Sequence, residues 1–151
     1  MIKKLLEENS KNTNVEIIKD ESVDGSEAMR RVIGKFVRDG MVYSFMNITG
    51  DAWSYLSIRF QFSYTAKIKK IIRSDVLEVV NSSNKIMPSI KVCLSDIKGK
   101  DIMINFTFEI PYVNSDVLSD VINPGIDMIS FAPDLFSTKM NEKGILHQTI
   151  S

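Results

Sequence analysis

The sequence predicts an α+β fold: a single antiparallel sheet of about five strands with helices on one face, in the order α-β-β-β-α-β-β-α. Three observations predict it. Apolar and polar residues alternate with period two from about Arg30 to Tyr64 and again from Ile90 to Ile110. The turn residues Asp39-Gly40, Thr49-Gly50-Asp51 and Lys98-Gly99-Lys100-Asp101 punctuate those runs. Apolar residues at helical spacing occur before, between and after them.

Taken in order, Ile2, Leu5 and Leu6 predict a short amphipathic helix over 2–11, ended by Asn12-Thr13-Asn14. Val15 to Lys19 is a short candidate strand, and Asp20 to Glu27 reads as a polar connection or a first turn of helix. A three-strand meander follows. Its strands are 31–39, with Gly34 marking a bulge, then 41–49, then 53–64, where Leu56, Ile58, Phe60, Phe62 and Tyr64 share one face. Ser74 to Ser83 reads as a helix capped by Ser74, with Val76, Leu77, Val80 and Asn81 on one face; Pro88 bars its continuation. Ile90, Val92 and Leu94 alternate on one strand of a hairpin and Ile102, Ile104, Phe106, Phe108 and Ile110 on the other.

The C-terminal part, 115–140, is helical, with a stripe of Val117, Leu118, Val121 and Ile122. Asn123-Pro124-Gly125 breaks or kinks it, and a second segment carries Ile126, Ile129 and Phe136. Residues 142–151 read as a loose tail. The chain is therefore expected to be a single domain, 1–151, with its core at about 30–140 and with Phe60, Phe62, Val92, Phe106 and Phe108 buried.

Composition narrows the class of function. A chain of 151 residues is long enough to bury a real core, and 44% hydrophobic with 25% charged residues is ordinary for a globular protein. Lys plus Arg and Asp plus Glu number 19 each, so no net field steers it toward nucleic acid or an anionic membrane. The lone Cys93 forms no internal disulfide and no cysteine-cluster zinc site, which fits the cytoplasm. Glu7, Glu8 and Asn9 end the first apolar run after two leucines, unlike an export signal. No window approaches the ~18 apolar residues of a membrane span.

The pattern around Val76–Asn84, with Ile90-Lys91-Val92 and the 102–110 strand after it, resembles the YbjN family of small bacterial proteins. In that family a helix ends in a Leu- or Val-Asn-x-x-Asn element before the second pair of strands, and Asn81 and Asn84 match its two asparagines. The resemblance covers about residues 30–140. It implies the type III secretion chaperone-like fold and a non-enzymatic, regulatory or chaperone-like role.

Residue by residue, the chemistry of a site is sparse. His147 has no Asp, Glu or Cys at ligand spacing and reads as an exposed, inert side chain of the tail. Cys93 falls on the polar face of its strand, without an activating partner in sequence. The glycines are scattered turn residues, so no phosphate-cradling loop forms. Lys67, Lys69, Lys70 and Arg73 read as a solvated helix face, and Asn81 and Asn84 as a structural cap or turn. No catalytic residue, cofactor or metal is expected.

Met41 to Thr49 is apolar on both sides: Val42, Met46 and Ile48 alternate with Met41, Tyr43 and Phe45. If the first set joins the core, Met41, Tyr43, Phe45 and Tyr55 form an exposed patch suited to a homodimer contact or a protein partner. A central strand buried on both faces gives the same pattern. The expected function is a protein-interaction module, chaperone-like or regulatory. The alternative is a small-molecule-binding or immunity-type protein with a pocket between the sheet and the C-terminal helix.

Overall fold

In the computed structural model, which describes residues 1–150, the elements run α1 (Ile2–Glu7), β1 (Asn12–Val23), β2 (Ser26–Arg38), β3 (Met41–Gly50), β4 (Ser54–Ala66), α2 (Arg73–Ile86), β5 (Ile90–Lys98), β6 (Asp101–Tyr112), α3 (Ser115–Glu142) and β7 (His147–Ile150). The fold is α+β with one antiparallel sheet. Its seven strands among the described residues follow the order β1-β2-β3-β4-β6-β5, with β7 on the edge of β4. Two strands beyond the expected five account for the difference: a full-length β1, and β7.

Two compact units divide the chain, and β4, β6 and α3 run through both. The first comprises Met1–Phe60 and Phe108–Ile126. Here the expected polar connection at Asp20–Glu27 is instead the end of β1, a tight turn and the start of β2. Asp24 (φ 50°) and Gly25 (φ 70°) both take the left-handed backbone, as do Asp39 (φ 51°) and Gly40 (φ 76°) in the next hairpin. The strand ends stay polar because cross-strand ion pairs suit a solvated surface: Arg30 meets Asp20 at 2.5 Å and Arg31 meets Glu21. Gly34 is not itself bulged. The register steps from Ile17↔Gly34 to Lys19↔Ile33, so the extra residue lies in β1.

β3 reverses the expected assignment of faces. Tyr43, Phe45 and Asn47 are buried, whereas Val42 is 60% exposed and Met46 and Ile48 are half-buried. The hairpin register sets Phe36 opposite Tyr43 and Gly34 opposite Phe45. Phe36 and Tyr43 stack with centroids 5.1 Å apart, and Phe60 packs 4.8 Å from Tyr43. Also buried, the Tyr112 hydroxyl donates to Asn47 Oδ1 at 2.7 Å, which satisfies both polar groups. The core reaches beyond 30–140, because α1 buries Ile2 and Leu6 and the Asn12 amide donates to the Leu6 carbonyl at 2.9 Å.

The second unit comprises Gln61–Thr107 and the chain from Asp127 onward. β3 pairs with β4 as far as Arg59, and the far end of β4, Ser63–Ala66, pairs with β7 instead. Thus the expected loose tail carries a strand at His147–Ile150, and Ser151 lies outside the described residues. α2 begins at Arg73 with Ile72 before it and no side-chain cap, so Ser74 is not the cap. Its buried face is Val76, Val79, Val80 and Ser83; Leu77 and Asn81 face outward. Lys67, Lys69 and Lys70 precede this helix in an irregular segment rather than lying on its face. The inner sheet face holds Tyr64, Ile102, Ile104 and Phe106, whereas Phe62 is half-buried.

α3 is continuous through Asn123-Pro124-Gly125. Pro124 is exposed, so water can take the Asp120 carbonyl left without its helical donor. Gly125 serves packing rather than a turn: a Cβ there would overlap the Phe108 ring. Asn114 opens the helix, accepting the Val117 N–H at 3.0 Å.

Burial raises the phenols of Tyr43, to about 12, and of Tyr64, further still. Unfolded tyrosines ionise near pH ~10. The folded state stays protonated where the unfolded state has lost its proton, so this contribution is complete below pH ~10 and is lost as pH rises through about 12. Urea midpoints measured from pH 8 to 12 are expected to fall steeply above ~10, less so in Tyr43→Phe. A midpoint that stays level to pH 12 contradicts this.

Candidate functional site

The residues expected at a partner surface do not come together. Tyr43 and Phe45 belong to the core at 1% and 2% exposure, and Met41 stands at the end of the same face, half-buried. Tyr55 lies on the opposite face beside Ile48. Its phenol is raised chiefly by burial and then by its hydrogen bond to Glu109. On that open face Val37 pairs with Val42, and both line a shallow depression of about 510 Å³ with Asn14, Val15, Glu16 and Lys35.

The two asparagines expected to form a cap or turn, Asn81 and Asn84, separate in role. Asn84 joins α2 to β5: its amide donates to the Val92 carbonyl at 2.9 Å and its Oδ1 accepts the Val92 N–H at 2.8 Å. It completes a strand's backbone hydrogen bonds rather than capping a helix. Asn81 is exposed. Asn84→Ala is expected to lower unfolding free energy by about 1–3 kcal/mol, because both Val92 groups lose their partner. Asn81→Ala is expected to change it by less than ~0.5 kcal/mol. Equal effects in urea titrations would contradict the distinction.

His147 is neither exposed nor in a loose tail. Its Nδ1–H donates to the Ile145 carbonyl at 2.8 Å, which leaves Nε2 to accept from the Ser137 hydroxyl at 2.5 Å. The ring meets Tyr64 edge-on with centroids 5.4 Å apart, and the Tyr64 hydroxyl donates to the Pro133 carbonyl at 2.8 Å. With the Lys67 N–H on the Leu146 carbonyl at 2.7 Å, these contacts fasten β7 between α3 and β4. Cys93 is a free, exposed thiol, and no group of three His, Cys, Asp or Glu side chains is placed to hold a metal among the described residues.

The feature that sequence reading missed is the outer flank of α3. The helix buries Ile129, Ala132, Phe136 and Met140, each at 0% exposure. About 100° around the helix, one residue earlier in each case, stand Met128, Phe131 and Leu135. They are 46%, 64% and 44% exposed. Their i, i+3, i+7 spacing makes one apolar row, bordered on the far side by Asp127 and Asp134. Just beyond the C-terminal end of α3, Lys143 forms ion pairs with Glu78 and Asp75 of α2. Glu78 raises the Lys143 ammonium above its ordinary value. The signal was legible: an apolar row at seven-residue spacing left over once the inner row is assigned.

No helix among the described residues is long and apolar enough to cross a membrane. Comparison with known protein families, with curated proteins and with solved structures finds no match to this chain.

Proposed function

We propose that this chain is a non-enzymatic protein-interaction module, chaperone-like or regulatory, as its resemblance to the YbjN family implies. One observation supports this most: Phe131 is 64% exposed on a helix that already buries a complete apolar face. An amphipathic helix needs one apolar face to fold, and a second one that stays in water is suited to a partner. The alternative reading places a small-molecule pocket between sheet and C-terminal helix. In the second unit Phe136 fills that side of α3, 5.4 Å from Tyr64 and 6.0 Å from Phe106, so we favour the outer flank.

A photo-crosslinking amino acid at Phe131, introduced in cells that naturally make the protein, tests the reading. A discrete protein adduct that Leu135→Ser abolishes is expected. Failure to form any adduct from 128, 131 or 135 in cells where the protein is abundant and folded contradicts it.

A further inference from the structure

Resting on the interaction-module reading, we infer that the outer flank of α3 receives a basic amphipathic helix of another protein. The partner's apolar side lies on Met128, Phe131 and Leu135 and its lysines or arginines face Asp127 and Asp134. The argument is one of charge and register. With Met128 and Leu135 in the a positions of a heptad and Phe131 in d, the two aspartates fall in g, and all of these side chains are exposed. Val117, Val121 and Asp120 carry the same spacing earlier in the helix sequence. An apolar seam edged by acid is complementary to an apolar seam edged by base.

The same edge disfavours the other occupants. An antiparallel pair of α3 helices about a two-fold axis sets g against g, so aspartate would face aspartate. A parallel pair sets g against e, and position e next to this seam is Ala132, which is wholly buried. An anionic membrane surface would be repelled by the acidic row.

The probe is a fluorescent helical peptide of about three heptads, with leucine at a and d and lysine at e and g, compared with a glutamate version of the same peptide. Titrated with the full chain at low salt, the lysine peptide is expected to bind at least about tenfold more tightly than the glutamate peptide. Phe131→Ser is expected to weaken it by about tenfold or more. Joint replacement Asp127→Lys and Asp134→Lys is expected to reverse the preference, with circular dichroism confirming that each variant is folded.

Equal binding of the two peptides, weakened alike by Phe131→Ser, overturns the basic partner while keeping α3 as an interaction surface. Binding of neither peptide overturns the inference, and the interaction-module reading then stands or falls on the crosslinking result. A wild-type dimer by sedimentation that Phe131→Ser dissociates, or binding to phosphatidylserine vesicles that this substitution abolishes, assigns the surface to another occupant and overturns the inference too.

Discussion

Replacing Phe136 with alanine is expected to lower the free energy of unfolding by about 3–5 kcal/mol, the range for removing a fully buried phenylalanine. Phe136 is 0% exposed and projects from α3 toward the sheet, with Tyr64 5.4 Å and Phe106 6.0 Å from its ring. Alanine there removes the apolar area that holds helix to sheet and leaves a cavity lined by two aromatic rings. The Tyr64 ring has little freedom to collapse into the space, because its hydroxyl is tied to the Pro133 carbonyl and the ring is flanked by His147. Urea unfolding measures the loss. A value below ~1 kcal/mol would mean that this side of α3 is not the one that folds the protein.

A single methyl group added at Gly34 is expected to cost about 1–3 kcal/mol, although alanine is the better strand residue. Gly34 lies between β1 and β3, and a Cβ built on it would overlap both the Glu16 carbonyl oxygen and the Phe45 ring. The ring can shift, but the carbonyl is held in the ladder next to the bulge at Ile17 and Lys19. Phe45→Leu in the Gly34→Ala background is therefore expected to restore only part of the loss. Complete restoration would place the whole conflict on the ring, and an unchanged midpoint for Gly34→Ala alone would contradict the close approach of β1.

Which parts of this fold could be read from the sequence follows from how local each signal is. The Asp39-Gly40 turn, the alternation of 54–64 and the 90–110 hairpin are local patterns, and the structure reproduces them. β3 was ambiguous because both of its faces are apolar. Its two-residue turn nevertheless sets Arg38 opposite Met41, and counting back puts Tyr43 beside Phe36 and Phe45 beside Gly34. The turn thus carried the face assignment, since the only glycine in β2 marks where a large ring from the next strand must lie. β7 could not be found that way: His147–Ile150 is short and polar, and it is a strand because the end of β4 is left unpaired by β3.

Asn123-Pro124-Gly125 misleads for a related reason. Its residues favour a turn locally, but Phe108 requires a glycine at 125 for contact, and the exposed position of Pro124 makes its missing donor tolerable. Of the two asparagines singled out in the sequence, Asn84 has a visible purpose, since its two hydrogen bonds to Val92 join helix to sheet. The exposed outer row of α3 was hidden differently. Each apolar residue of α3 counts toward a helix, and only the distinction between the row of 129, 132 and 136 and the row of 128, 131 and 135 shows that there are two faces.

That α3 has one row for folding and another for a partner is the central claim, and the unfolding free energy of Phe131→Ser tests it most directly. The account predicts a value within ~0.5 kcal/mol of wild type, as for an exposed position, beside the large loss in Phe136→Ala. A loss for Phe131→Ser approaching that of Phe136→Ala would show that the outer row holds the fold together, and would contradict its assignment to a partner.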